Sequence, residues 1–481
     1  MMEKDVNLNG NANGIGLPAL VATVVTSSIG SGIFALTSDL AHAASPGPAL
    51  IAWLIVGVGI LMLSLSLNNL VMKRPDLEGV FAYAEAGFGQ YAGFISGWGY
   101  WLSAWLGNVA FATVMMSSIG YFFPIFKSGQ NLPSILAASI ASWALTYIVN
   151  QGVESAAILN AIVTICKLIP LFTFIVVAII LFKGNLFTSM FWNNLSGHFD
   201  GGQGVGTQIK NCMMVMMWVF VGIEGAAMMS SRAKKKSDAG RATILGLLCL
   251  LLIYVLASVL PYGYLTRGEL ATIHQPAMVY IFNDMVGNWG GIFISIGLII
   301  SILGSWLSWT MLPAETMRLM TNRKLLPPIF GRENKHRAPT FSLVLTAVLI
   351  QLFLFTLLFT EKAYNFAYSL CTAAIVICYI FVAAYQIKLS WQHIHEKGSF
   401  KQLVIGLIAF LFQVVGITLA GLQYVLLCFI AYIPGIFFYA KARKDAGATQ
   451  WLSKSEWAMT SLIALGAIVS VVLLVVGKIS V

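Results

Sequence analysis

The sequence predicts an all-α polytopic membrane protein with about thirteen transmembrane helices, and three observations carry that prediction. Of the 481 residues, 58% are hydrophobic and only 10% are charged, against about a quarter charged in a soluble domain. Apolar runs of the length needed to cross a hydrocarbon core of roughly 30 Å recur along the whole chain. Lys and Arg concentrate in alternate loops, as they do in helical membrane proteins. A mean hydropathy of +0.84 agrees. Such sparse charge excludes a disordered chain, a nucleic-acid-binding protein and a collagen-like rod. A β-barrel is excluded because its strands would alternate in polarity over about ten residues.

The spans run in order near 16–38, 48–71, 91–123, 131–150, 156–182, 208–230 and 242–265, then 288–317, 340–360, 363–386, 402–421, 423–440 and 457–477. Those at 91–123 and 288–317 exceed a straight crossing, which implies tilt or an extra interfacial turn. Residues 1–15 are a polar cytoplasmic segment without a basic-then-apolar leader, so the first span is expected to be retained. Residues 16–386 form the core, in two five-span halves at about 16–182 and 208–386, and 402–477 adds further helices. The largest outer loop, Lys183 to Gln208, is glycine-rich; its Asn194-Leu195-Ser196 matches a glycosylation sequon, a triplet that arises easily by chance.

With the N-terminus inside, 21 of the 28 Lys and Arg lie on the cytoplasmic side, 6 lie outside, and Lys167 falls within a span. That asymmetry predicts a multi-pass protein of the plasma (inner) membrane with a cytoplasmic N-terminus. The net charge of +10 is then topogenic, and so is the run Arg232–Lys236, so no nucleic-acid partner is expected. All six Cys sit in apolar runs as small hydrophobes, with no disulfide or zinc spacing. His393 and His395 belong to a Lys-containing polar loop and read as solvated. Neither a catalytic motif nor a phosphate-binding loop is present. Gly87, Gly89 and Gly93 only loosely follow a dinucleotide fingerprint and precede a span rather than follow a strand. The expectation is no enzyme, no metal and no cofactor, with the lipid bilayer as surroundings and a monomer or homodimer as the unit.

Two spans are interrupted at membrane depth. The first contains Ser28-Ile29-Gly30-Ser31-Gly32, and the sixth contains Trp218-Val219-Phe220-Val221-Gly222-Ile223-Glu224-Gly225. Small residues also line ordinary helix interfaces. These two clusters, however, open the two five-span halves, and paired interrupted spans point to an inverted-repeat transporter with a central site. A half-helix starting after Gly30 would present N–H groups and a positive dipole end to a carboxylate. Carbonyls freed at Ile29 and around Phe220 and Val221 could accept from an α-ammonium, while Trp218 and Trp309 could close over a side chain. Ionisable residues inside spans are functional candidates by default. Lys167 is either a structural ammonium on unwound backbone or a proton carrier; Glu224 sits in the second break; Glu315 is expected to pair with Arg318 or face a cytoplasmic vestibule; Asp39 reads as interfacial.

The stretches Gly30–Phe34, Trp98–Asn108, Trp218–Ala226 and Leu303–Trp309, with Leu325–Asn334, resemble the amino acid–polyamine–organocation (APC) superfamily. Within it they are most similar to the basic amino acid/polyamine antiporters of the arginine–ornithine group, over roughly residues 15–440. The resemblance implies a LeuT-type 5+5 inverted repeat with additional C-terminal helices. It implies that Ser31 and Gly32 bind the substrate carboxylate, that Val221 offers a carbonyl to the α-amino group, and that Asn108 bonds the backbone end or gates release. Trp218 would gate and Trp309 would stack on the side chain. Lys167 matches a lysine of sodium-independent relatives, and Glu224 matches the family's acidic residue. The tenth-span contact falls among Ser369, Cys371 and Thr372. Ala104 leaves one third-span pocket position without a fixed charge, and the thirteenth span exceeds the twelve typical of arginine–agmatine relatives.

The function expected is sodium-independent antiport of a cationic amino acid, arginine, for ornithine or a related amine by alternating access. The alternatives are a proton-coupled amino acid symporter of broader specificity, or an antiporter for another pair such as lysine, histidine or tyrosine with its amine, or agmatine and putrescine. A channel would need a continuous polar lining, which the spans lack. A membrane sensor would share the site, but no signalling domain is attached.

Overall fold

In hydrocarbon a backbone has no water to bond, so an apolar run must satisfy its own N–H and C=O groups as a helix. The computed structural model follows this rule and describes residues 16–152, 156–192, 204–225, 233–359 and 363–476. The polar segment before residue 16, the Asn194 triplet, Ala226 and Arg232 lie outside those residues. The first half holds α1 (Leu17–Ser28), α2 (Gly32–Ala43), α3 (Pro46–Lys73), α4 (Val80–Phe88), α5 (Gln90–Ile119), α6 (Leu132–Asn150), α7 (Ala156–Ile180) and α8 (Gly184–Ser189). The second half holds α9 (Val205–Trp218), α10 (Lys236–Val259), α11 (Arg267–Thr272), α12 (Ala277–Val286), α13 (Asn288–Asn322), α14 (Thr340–Thr356) and α15 (Ala363–Gln392). Beyond them lie α16 (Ser399–Asp445) and α17 (Lys454–Val475).

Among the described residues, nine helices are long and apolar enough to cross a membrane. The sequence predicts thirteen spans, and the four that are not among those nine helices have identifiable causes. The run at 16–38 is split into α1 and α2, and the helix of the run at 208–230 stops at Trp218. The run at 340–360 is helical only as far as Thr356, and in α7 only Cys166–Ile180 counts as a shorter apolar stretch. The spans at 402–421 and 423–440 are both among the nine, as two helices that meet at non-helical backbone at Gly421 within α16. Three short helices escaped the sequence pattern, α4, α11 and α12. α4 is bounded by Gly79 (φ 80°) and Gly89 (φ 93°), whose left-handed conformations suit glycine. α11 starts with a capping box between Thr266 and Glu269.

The long third-span helix, α5, lies at the centre: 89% of its most apolar window is buried, against 17% for the last helix, α17. α5 packs on α13 and α15, α1 packs on α10, and α13 packs on α7. The interrupted helices therefore lie among neighbours that can bond their loose backbone. α17 packs on α16 and otherwise presents apolar side chains outward, including Val472 and Val475.

Candidate functional site

The two breaks meet. Glycines weaken each helix locally, and the freed backbone is bonded across the contact. Ser27 Oγ donates to the Gly222 carbonyl at 2.8 Å. The Tyr254 hydroxyl lies within bonding distance of the Ser28 carbonyl (2.9 Å) and the Val219 carbonyl (2.8 Å). Trp309 Nε1 donates to the Ser27 carbonyl at 3.1 Å. Gly222 holds φ 104°, and a Cβ there would come within 2.6 Å of the Ser27 carbonyl oxygen. Only glycine permits both that conformation and that approach.

Ile29 is differently placed from the expectation of a free acceptor. Lys167 Nζ donates to its carbonyl at 2.8 Å and Ser305 Oγ at 3.1 Å, while Lys167 also reaches Ser305 Oγ at 3.0 Å. A fully buried ammonium thus caps the break in the first span. Lys167 makes these contacts in either of its two readings, as a structural ammonium or as a proton carrier.

A cavity of about 20 Å³, room for about one water, lies against both breaks. Gly30, Gly32, Trp218, Val221, Trp309 and Cys371, all candidates from the sequence, are among its walls. Its walls also include Ser27, Ser28, Ser103, Gly107, Phe111 and Val219, which sequence reasoning passed over. Ser103, Gly107 and Phe111 are four residues apart and form one stripe of α5. The expected third-span residues, Ala104 and Asn108, occupy the adjacent stripe. Both are buried, and Asn108 Nδ2 donates to the Trp309 carbonyl at 3.2 Å. A small–small–aromatic repeat at i, i+4 and i+8 was the signal available for that stripe.

The aromatic walls are braced from behind. Trp309 lies 6.0 Å from Tyr100 between ring centroids, and Trp218 lies 6.3 Å from Phe111 and 6.0 Å from Tyr368. A Cβ on Gly30 would meet the Phe111 ring at 2.6 Å, and one on Gly32 would meet Trp218 Nε1 at 2.9 Å. The cavity is closed to this size by side chains packed onto bare glycine.

The remaining candidates are distributed around this centre. Ser31 is fully buried between the two glycines but does not wall the cavity. On α15 only Cys371 reaches the wall, where its Sγ meets Ser103 Oγ at 3.2 Å. Ser369 is buried elsewhere, and Thr372 bonds back to the Tyr368 carbonyl at 2.7 Å. Glu224 is buried within the second break and accepts from the Tyr379 hydroxyl at 2.6 Å. Glu315 does not reach the cavity; it pairs with Arg318, which also faces Glu333 at 3.4 Å. Asp39 lies on α2 and accepts from Gln275 Nε2 at 3.1 Å. Among the described residues no group of three or more His, Cys, Asp or Glu could hold a metal ion. The site can therefore offer backbone dipoles, hydroxyls and aromatic faces, the groups that hold a zwitterion with a cationic tail.

The amino acid permease family matches residues 15–426 of the chain. An arginine/ornithine antiporter of Latilactobacillus sakei is 70% identical, over 97% of this chain and 98% of the relative. The arginine/ornithine antiporter ArcD1 of Lactococcus lactis subsp. cremoris is 48% identical, over 96% of this chain and 90% of its own length. An arginine/agmatine antiporter of Chlamydia abortus is 38% identical, over 98% and 99%.

Proposed function

This chain belongs to the amino acid permease family, and we propose that it is a secondary antiporter that exchanges arginine for ornithine across the membrane. The observation that carries the reading is the 70% identity to an arginine/ornithine antiporter along nearly the whole of both chains. It is a multi-pass helical membrane protein that transports amino acids as small-molecule substrates, and not an enzyme.

The finer reading has α1–α7 and α9–α15 as a LeuT-type 5+5 inverted repeat, with α16 and α17 supplying additional helices for a total of thirteen spans. The pairing of breaks after Ser28 and after Trp218 supports it, since discontinuous helices at matching positions mark a midplane site. The alternation of basic loops supports an inner-membrane protein with its N-terminus inside. In this reading Gly30, Ser31 and Gly32 receive the carboxylate at the start of α2, where the helix dipole favours an anion. The Val221 carbonyl receives the α-ammonium, Trp309 stacks on the guanidinium, and Trp218 gates. Asn108 positions Trp309 through the carbonyl it bonds. Ile29 shapes the break, while Ser369 and Thr372 set the orientation of α15 behind Cys371.

The size of the cavity supports a cycle of opening and closing, as alternating access requires. A cavity of about 20 Å³ is far smaller than an amino acid, so Trp218 and Phe111 must withdraw from Gly32 and Gly30 to admit one. Exchange arises if the return step is fast only when the cavity is refilled. Lys167 puts a fixed or titratable charge beside the first break, where a sodium ion would otherwise bind. Counterflow tests the whole reading: ornithine-loaded proteoliposomes take up labelled arginine and empty ones do not. Equal uptake into empty vesicles would refute exchange.

A further inference from the structure

A second polar cavity lies away from the central site, where the end of α3, the end of α15 and the start of α16 meet, with a volume of about 250 Å³. Its walls carry four basic side chains, Lys73, Arg74, His393 and Lys397. Lys73 faces Glu396 at 2.8 Å, and Arg74 faces Asp76 at 2.7 Å and also bonds the Tyr385 hydroxyl. No ion pair among the described residues answers Lys397, so the wall keeps an excess positive charge.

Two further features shape what could bind. Gly398, the residue before α16, offers no side-chain acceptor to the first N–H groups of that long helix, and both Gly398 and Ser399 line the cavity. The Ser399 N–H is already bonded to the Glu396 carbonyl at 3.1 Å, so the N–H groups of the next two residues, Phe400 and Lys401, are the ones left to favour an anion. In the same wall, Gln402 Oε1 is buried without a hydrogen-bond partner. A bare acceptor among cationic donors calls for a ligand that brings its own hydroxyl. The exposed rings of Trp391 and Phe400 flank the cavity in sequence, as aromatics do at membrane–water interfaces.

We propose that this cavity binds a phosphate-bearing anion that also carries a hydroxyl group, as an anionic phospholipid headgroup or hydrogen phosphate does. Lys397, Lys73 and the start of α16 hold the phosphate oxygens, and Gln402 Oε1 accepts from the hydroxyl. Basic pockets between transmembrane helices are suited to such headgroups. A ligand there ties α3 and α15 to α16, at a distance in the fold from the exchange cavity.

The test uses the full chain in detergent. Thermal unfolding is followed during titration with inorganic phosphate and with short-chain phosphatidylglycerol. Short-chain phosphatidylcholine and sodium chloride at matched ionic strength are the controls. Saturable stabilisation beyond both controls is expected. Response to phosphatidylglycerol alone assigns the lipid headgroup, and response to phosphate assigns the free anion. Lys397→Ala alters an exposed side chain and should weaken the midpoint about tenfold, the scale of one charged hydrogen bond, with Lys397→Arg restoring much of it. Gln402→Leu should weaken it independently while arginine affinity stays unchanged. Stabilisation no greater than in the controls, or midpoints unmoved by both Lys397→Ala and Gln402→Leu, would overturn the proposal.

Discussion

The buried Lys167 ammonium donates to the Ile29 carbonyl at 2.8 Å, across 138 residues of sequence, at the point where the first span is broken. The carbonyl that the break frees is thus answered by a cation, with Ser305 as a second donor at 3.1 Å. Lys167→Met should therefore lower stability by about 1.5–3 kcal/mol, the range for a hydrogen bond to a charged group, and abolish exchange. Thermal unfolding and counterflow on the same preparation check it. Wild-type values in both would show that the ammonium is dispensable.

The same cation leads to an ionic prediction. Arginine uptake into ornithine-loaded vesicles should be equal in sodium and choline buffers. Each cycle moves one positive charge in each direction, so a membrane potential, worth about 2.3 kcal/mol per charge per 100 mV, should leave the rate nearly unchanged. Sodium stimulation would reassign the role of Lys167.

Trp309 is fixed on three sides, by its bond to Ser27, by Asn108 on its carbonyl and by Tyr100 beside its ring. Its cavity-facing ring should hold a guanidinium. Trp309→Ala is expected to weaken arginine binding by about 1–2 kcal/mol, the scale of a desolvated cation–π contact. Calorimetry on folded protein measures this directly, and an unchanged affinity would take Trp309 out of the site.

The glycines of the two breaks should fail in different ways. At Gly32 a side chain collides with Trp218 and Val219, flexible walls of the cavity, so Gly32→Val should insert and fold yet bind no arginine. At Gly222 the collision is with the Ser27 backbone, in a left-handed conformation, so Gly222→Ala should cost stability by more than about 1 kcal/mol. Melting curves beside arginine-binding isotherms separate the two outcomes. Full arginine transport by Gly32→Val would exclude the carboxylate clamp.

The loop after α3 supplies a prediction about pH. A hydrogen bond from Arg74 holds the Asp76 carboxyl below its ordinary range, so the folded chain takes up that proton less readily than the unfolded chain. The stabilisation is complete above the unfolded value, near 4, and fades as the pH falls through the lower folded value. Asp76 is more than half exposed, which keeps the contribution below about 1 kcal/mol. Asp76→Asn should leave the melting temperature at pH 7 within a degree or two and flatten its decline between about pH 4 and 3. A steeper acid decline in the variant would contradict the pairing.

The sequence by itself determined the helical membrane class, the order of the apolar runs and the two points where helices break. Those features are local: lipid forces an apolar run to satisfy its own backbone, and glycine weakens a helix wherever it stands. Gly30, Gly32, Trp218 and Trp309 were legible for that reason, with the resemblance adding their roles. The partners of the broken backbone were decided only by the tertiary structure. Nothing near Ile29 in the chain announces Lys167 or Ser305, and nothing near Val219 announces Tyr254. Which face of α5 meets the cavity was also a tertiary matter. Residues 103, 107 and 111 and residues 104 and 108 have the same helical period, and only the packing of α5 against α13 and α15 turns the first set inward. A helix fixes the spacing of its stripes; its rotation is set by neighbours distant in sequence.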